Sequence, residues 1–187
     1  MAQTQGFERT KVVRKMMTEA NTNELTAMDI NSIPILLRRK IEAILLKHVL
    51  DVVTERAGRD EAEAVIGETC SRSAIEQGEQ MAALLDHPPT LEDFAAILPN
   101  WTRQGALQID PIETSAERME FNVTRCRYAE IYREMGLGDI GHLLSCNRDG
   151  DFCIGYNPDM ELTRTQTIMK GASHCDFRYR MKRGQEE

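Results

Sequence analysis

Over the first hundred residues apolar side chains recur every three or four positions, and beyond about residue 105 the period shortens to two. Leu37, Ile41, Ile44, Leu45, Val52 and Val53 form one stripe with His48, which predicts a helix capped by Ser32, carrying Pro34 in its first turn and stopped by Gly58. That stripe points inward and leaves Arg38, Arg39, Glu42, Lys47 and Asp51 on the wet side; His48 reads as a partly buried histidine bonded to a carbonyl. Upstream, Phe7, Val12, Val13, Met16 and Met17 give a rough apolar face to a short helix over 7–20, and the polar stretch 21–31 reads as a loop. A second helix spans 60–86 through Val65, Ile66, Cys70, Ile75, Met81 and Leu84, with a bend near Gly78. His87-Pro88-Pro89 breaks it, and Thr90 with Asp93 forms a capping box for a short helix that buries Leu91, Phe94, Ile97 and Leu98 and ends at Pro99. Trp101 then packs over the core from a loop.

Residues 106–109 read as a short strand, and the alternation of Met119, Phe121 and Val123 predicts another over 118–124. Residues 127–135 return to helix with Tyr128, Ile131 and Tyr132 on one face, ended by Gly136. Asp139 opens a further short helix through Ile140, Leu143 and Leu144 that closes at Cys146, followed by a turn over 147–151. Strands over 161–169 and 175–181, hinged at Gly171, complete the order. The expectation is an α+β fold: a helical N-terminal half packed on a C-terminal antiparallel sheet with embedded short helices. The helical region covers 1–104 and the cysteine-bearing α+β region 105–187, the two together making one compact domain.

Composition narrows the function classes. A chain of 187 residues, 41% apolar and 28% charged, is ordinary for a globular protein. Its formal net charge of −7 argues against nucleic acid as a partner. The one basic cluster, Arg178, Arg180, Lys182 and Arg183, alternates with Phe177, Tyr179 and Met181 and reads as the solvated face of a strand. No apolar run nears the roughly 18 residues that span a bilayer, so no membrane partner is expected. The N-terminus shows no continuous apolar core or small-residue cleavage site, so a secretory leader is not expected either. Five cysteines, an odd number without scaffold spacing, point to reduced thiols and a cytoplasmic location.

Four of those cysteines fall in 121–179, together with His142, His174, Asp149, Asp151 and Asp176. Cys126 lies between a strand and a helix, Cys146 at a helix end and Cys175 at a strand start beside His174 and Asp176. Element ends commonly surround a pocket, and a helix N-terminus lowers a thiol pKa, which favours Cys126. A thiolate needs a base or positive charge nearby; His174, His142, Arg125, Arg127 and Arg164 are the candidates. Cys70, at helical spacing, reads as a small core residue. The rival chemistry is metal: Cys126, Cys146 and Cys175, completed by His142, His174 or water, would suit zinc, although no CxxC pair is present. No other cofactor is expected.

The strings FNVTRCRYAE at 121–130, EMGLGDIGHLLSCNRD at 134–149 and LTRTQT at 162–167, followed by Gly171 and Cys175-Asp176-Phe177, resemble the L-2-amino-thiazoline-4-carboxylic acid hydrolase family. The resemblance covers about sixty of the 187 residues. A weaker similarity runs to ligand-binding domains of the 4-vinyl-reductase type. The first resemblance implies hydrolytic opening of a small heterocycle at a carbon–nitrogen bond of a cyclic amidine, isothiourea or amide. The expected catalytic residues are Cys175, Cys126 or Cys146 as nucleophile, His174 or His142 as proton carrier and Asp176 or Asp149 as its orienter. Arg125 or Arg164 would pair with a substrate carboxylate, with Asp149 and Thr165 also contacting substrate. The partner is a small heterocyclic molecule, and self-association is compatible with the sequence. A non-catalytic sensor of a small molecule or metal is the alternative.

Overall fold

Two long helices open the described part of the chain, which in this computed structural model is residues 32–182. The expected helix at 7–20, the loop at 21–31 and Arg183 lie outside the described residues. Helix α1 (Ile35–Ala57) ends at Gly58, whose φ of +93° lets the chain reverse, and α2 (Arg59–Ala82) begins at the next residue. Then come α3 (Leu91–Ile97), the short α4 (Pro99–Thr102), β1 (Leu107–Thr114), β2 (Arg118–Cys126) and α5 (Arg127–Glu134). A π-helical turn (His142–Cys146) runs straight into α6 (Asn147–Tyr156), and β3 (Met160–Thr163) and β4 (Cys175–Met181) finish the fold. The four strands pair antiparallel in the order β1-β2-β4-β3. All these elements belong to one unit that starts at Pro34. The α+β expectation holds.

Period-two alternation decides the sheet. Met119, Phe121 and Val123 of β2 are buried and stand opposite Tyr179, Phe177 and Cys175 of β4. Phe121 and Phe177 stack at 5.0 Å between centroids. Their partners in sequence, Arg178 and Arg180, lie on the other face, where both pair with Glu120. Pro111, which has no amide hydrogen, is accommodated because β1 is an edge strand with register shifts on both sides of it. The Thr90–Asp93 capping box forms as expected: Thr90 N donates to Asp93 Oδ2 at 2.8 Å and Asp93 N to Thr90 Oγ1 at 3.2 Å.

Several expectations are corrected. The α1 stripe faces solvent: Leu37, Ile41, Ile44, Leu45 and Val52 are exposed, while Arg39, Ala43 and Leu50 are buried. His48 is exposed too. A second apolar set, Leu36, Leu46 and Val49, joined by Val53 from the expected stripe, packs against the core beside buried Ala43 and Leu50. Helix α2 runs through Gly78 as one unbroken element. That glycine, with Gly155, lets α2 and α6 touch backbone to backbone: a Cβ on Gly78 would lie 2.7 Å from Tyr156 N, and one on Gly155 would overlap Ile75 O. The expected turn at 147–151 is helical, since Arg148, Phe152 and Tyr156, spaced by four, are buried and override the local turn residues. Cys146 therefore sits inside a continuous helical run. Only Met160–Thr163 of the 161–169 strand pairs; Ile168–Lys170 forms a 3-10 turn, and Gly171 follows at φ +95°.

Two apolar clusters result. One gathers α1, α2, α5 and the π turn around Ile66, Tyr132, Leu137 and Ile140; the other gathers the sheet, α3 and α6 around Phe94, Val123, Phe152 and Phe177. Leu107, Cys126 and Ile168 touch both. Among the described residues, no helix is long and apolar enough to cross a membrane.

Candidate functional site

A cavity opens at the seam of the two clusters, with about 80 Å³ open to the centres of water-sized molecules. That is several waters' worth of space, enough for a small ring. One wall is aromatic: Phe94, Trp101, Phe121, Phe152 and Phe177. Trp101 packs against the core as expected and also lines the space, meeting Phe152 edge-on at 5.2 Å. Polar groups share the lining: Cys126, Cys146, Cys175, Ser145, Asp149, Arg39, Arg148, Arg164 and Gln77.

The three junction thiols thus converge on one cavity. Cys126 is the last residue of β2, Cys146 the last of the π turn and Cys175 the first of β4. Burial pushes the Cys126 thiol up to about 11, although the helix amides of Ala129 and Tyr128 pull the other way. Cys146 is pushed up to about 12, again by burial first and then by the Asp149 charge. Burial also raises Cys175, whose Sγ accepts from Ile168 N at 3.2 Å. The expected thiol activation at a helix start is therefore overturned: desolvation outweighs the helix end. Among the described residues, no three His, Cys, Asp or Glu side chains are grouped as a metal ion requires.

Asp149 and Arg164 form the central polar pair. Arg164 Nη1 donates to Asp149 Oδ2 at 2.6 Å and its Nη2 to Cys146 O at 2.7 Å, while its guanidinium lies 4.8 Å from the Phe177 ring centroid. Burial raises the Asp149 carboxyl above its ordinary range even against the Arg164 charge. Its side chain keeps 35% of its surface, and that surface borders the cavity.

The other expected site residues lie elsewhere. Asp176, next to Cys175 in β4, is turned by strand alternation away from the cavity that Cys175 lines, and His174, which precedes the strand, is not among the lining residues. Asp176 accepts from Thr165 N and Oγ1 and from Gln166 N, at 2.6–3.1 Å, so Asp176 and Thr165 fasten the loop after β3. Gln166 Nε2 donates to His174 O at 3.1 Å and lies against its ring. His142 Nδ1 meets Asp139 O at 3.1 Å, outside the cavity. Arg125 is exposed and pairs with Glu130 at 2.8 Å. Among the described residues, no histidine lines the cavity.

Sequence reasoning missed Arg39 and Arg148. Arg39, expected on the wet side of α1, is 3% exposed. Its signal was the spacing of four from Ile35 and to Ala43. Arg148, 8% exposed, sits next to Asp149 in the middle string of the resemblance, masked by its turn-like neighbours.

No protein of curated function matches the chain significantly. Among solved structures, one similar chain is the phenol-responsive sensory domain of the transcription activator PoxR with phenol: 12% identity over 76% of this chain and 74% of that one, TM-score 0.45. A family model described as L-2-amino-thiazoline-4-carboxylic acid hydrolase matches residues 38–179, three quarters of the chain and every cavity-lining residue. The chain belongs to that family.

Proposed function

We propose that this protein opens a small heterocycle by hydrolysis, with the ring held against the aromatic wall and the amidine carbon presented to a water beside Asp149. The observation that carries this reading is a carboxylate, Asp149, in a mostly apolar cavity where no histidine competes for the proton. Burial raises that carboxyl above its ordinary range, which makes the carboxylate a stronger base than an exposed one. Asp149 takes a proton as water adds to the amidine carbon. The tetrahedral intermediate collapses with cleavage of the ring carbon–nitrogen bond, and the same proton goes to the leaving nitrogen. Arg164 holds the Asp149 oxygen and steadies charge through the step.

Thiols held at about 11 and about 12 carry almost no thiolate at neutral pH, which sets Cys126 and Cys146 behind Asp149 as the reacting group. The same fact favours the second reading, a cavity that binds a small molecule without turnover. Incubation with 2-amino-thiazoline-4-carboxylate, cyclic ureas and lactams, followed by mass spectrometry of the products, separates the two. Ring opening by the wild type that falls at least about 100-fold in Asp149→Asn, and less than about tenfold in each single Cys→Ser variant, supports the water route. Loss of turnover in Cys175→Ser with Asp149→Asn still active would replace it with thiol attack. Tight binding without product supports the second reading.

A further inference from the structure

We propose that the solvent-facing stripe of α1 is the contact surface for a second copy of this chain, the two α1 helices packing antiparallel about a twofold axis near Leu45. The stripe lies on the side of α1 away from the core, so the inference stands apart from what the cavity does.

Clustering is the first observation. Eight large apolar side chains stand exposed among the described residues, and five of them, Leu37, Ile41, Ile44, Leu45 and Val52, belong to α1. Their helical spacing puts them on one face with exposed His48, while Leu36, Ala43, Val49 and Leu50 meet the core from the other. A helix that is apolar on both faces is built to be covered on both. The five are 45–66% exposed, which leaves on the order of 500 Å² of apolar side chain open to water, at the upper end of the largest patch on an ordinary monomer. Two copies face to face would bury about 1,000 Å² from this stripe alone, the lower bound for a specific interface, and flanking residues add to it.

Charge selects the occupant. Lys40 and Asp51, both exposed, lie about three turns apart on one flank of the stripe, nearly equidistant from Leu45. Antiparallel pairing of two identical helices sets like flank against like flank, so Lys40 of one copy meets the partner's Asp51, twice by symmetry. Lys47 of its own helix also reaches Asp51, at 3.1 Å. The same reversal brings exposed Glu55 to the first turn of the partner's α1. That turn follows Pro34, has no side-chain cap and carries no acidic residue, so its amides present positive charge that a carboxylate suits. The apolar residues match in this register, Leu37 opposite Val52 and Ile44 opposite Leu45. Parallel packing would instead bring the two Glu55 carboxylates together, since Glu55 stands about five turns beyond Leu37 on the same line of the helix. A pattern complementary to its own reversal suits a copy of the chain better than an unrelated helix.

Sedimentation velocity on the full chain is the test, and a particle of twice the chain mass is expected at about 10 μM in physiological salt. Ile41→Glu and Leu45→Glu place a carboxylate in the seam and should each raise the dissociation constant at least about 100-fold. Both positions are exposed within one copy, so the helical circular dichroism should stay intact. Ile154→Glu, at an exposed apolar position on α6, should leave the constant unchanged. Lys40→Glu and Asp51→Lys should each weaken association about tenfold, and the double variant Lys40→Glu/Asp51→Lys should regain most of that loss. A full chain that stays monomeric at about 100 μM overturns the proposal, whatever then covers the stripe, the stretch 1–31 or another protein included. A dimer untouched by both stripe variants overturns the site. One that the stripe variants break but the charge swap does not restore overturns the antiparallel register.

Discussion

Cys175 and Asp176 are neighbours with different fates, because a strand sends consecutive residues to opposite faces. The thiol lines the cavity, while Asp176 gathers three donors from Thr165 and Gln166, and those donors hold its carboxyl low although burial opposes them. Asp176→Asn is accordingly a stability variant, expected to cost about 1 kcal/mol or somewhat more in chemical denaturation and to leave the pH profile of any turnover in place. His174→Asn should behave alike; a shift of that profile in either variant would return them to the chemistry. Thiol reactivity offers a second check. With Cys126 at about 11 and Cys146 at about 12, alkylation of the native protein by iodoacetamide at pH 8 should leave both unlabelled over a period that labels all five thiols in urea. Mass spectrometry of the peptides reads the outcome, and rapid native labelling of Cys126 at pH 8 would contradict its desolvation.

The crossing of α2 and α6 positions Asp149 and Arg148, and two glycines make it. Gly155→Ala puts a methyl into Ile75 O and should cost about 3 kcal/mol or more, seen as a large drop in the thermal midpoint. Gly150, in the same helix, has open space where its Cβ would stand, so Gly150→Ala should gain about 0.5–1 kcal/mol. Opposite signs within five residues test the crossing itself. This helix is also where the sequence was hardest to read. Strands β2 and β4 were legible because Met119–Val123 and Cys175–Tyr179 alternate cleanly, and α3 because its capping box is local. Helix α6 was not: Asn147, Asp149, Gly150 and Asp151 all favour turns, and the burial of Arg148, Phe152 and Tyr156 that overrides them comes from α2 and α3, far away in sequence. Helix α1 failed for a different reason. It offers two apolar stripes, and only the partner helix decides which is inside. Convergence of the three thiols could be guessed from their junction positions; the arginine pair could not, since a buried guanidinium looks like any surface arginine in sequence.

At the scale of the molecule, several buried groups resist ionisation, Cys126 and Cys146 at the cavity and Cys153 and Tyr132 in the two cores, and this fixes how stability responds to alkali. Folded Cys126 holds its proton up to about 11, and Cys146, Cys153 and Tyr132 up to about 12, each because burial disfavours the charged form. In the unfolded chain thiols ionise near about 8.5 and phenols near about 10. The unfolded state therefore releases protons first as pH rises, and linkage makes stability fall wherever the folded state binds more of them. The contribution is complete below about pH 8.5 and is lost progressively on the way to about 12. Urea midpoints measured under reducing conditions should be flat from pH 7 to 8.5 and decline steadily above. The double variant Cys126→Ser/Cys146→Ser removes two of the four groups without touching the sheet register or the α2–α6 crossing. Its midpoint is expected to decline less steeply over the same interval, whatever its value at pH 7. An alkaline limb as steep as the wild type's would mean that the cavity admits hydroxide to thiols already close to their ordinary pKa, and the desolvated site behind the water route would fall with it.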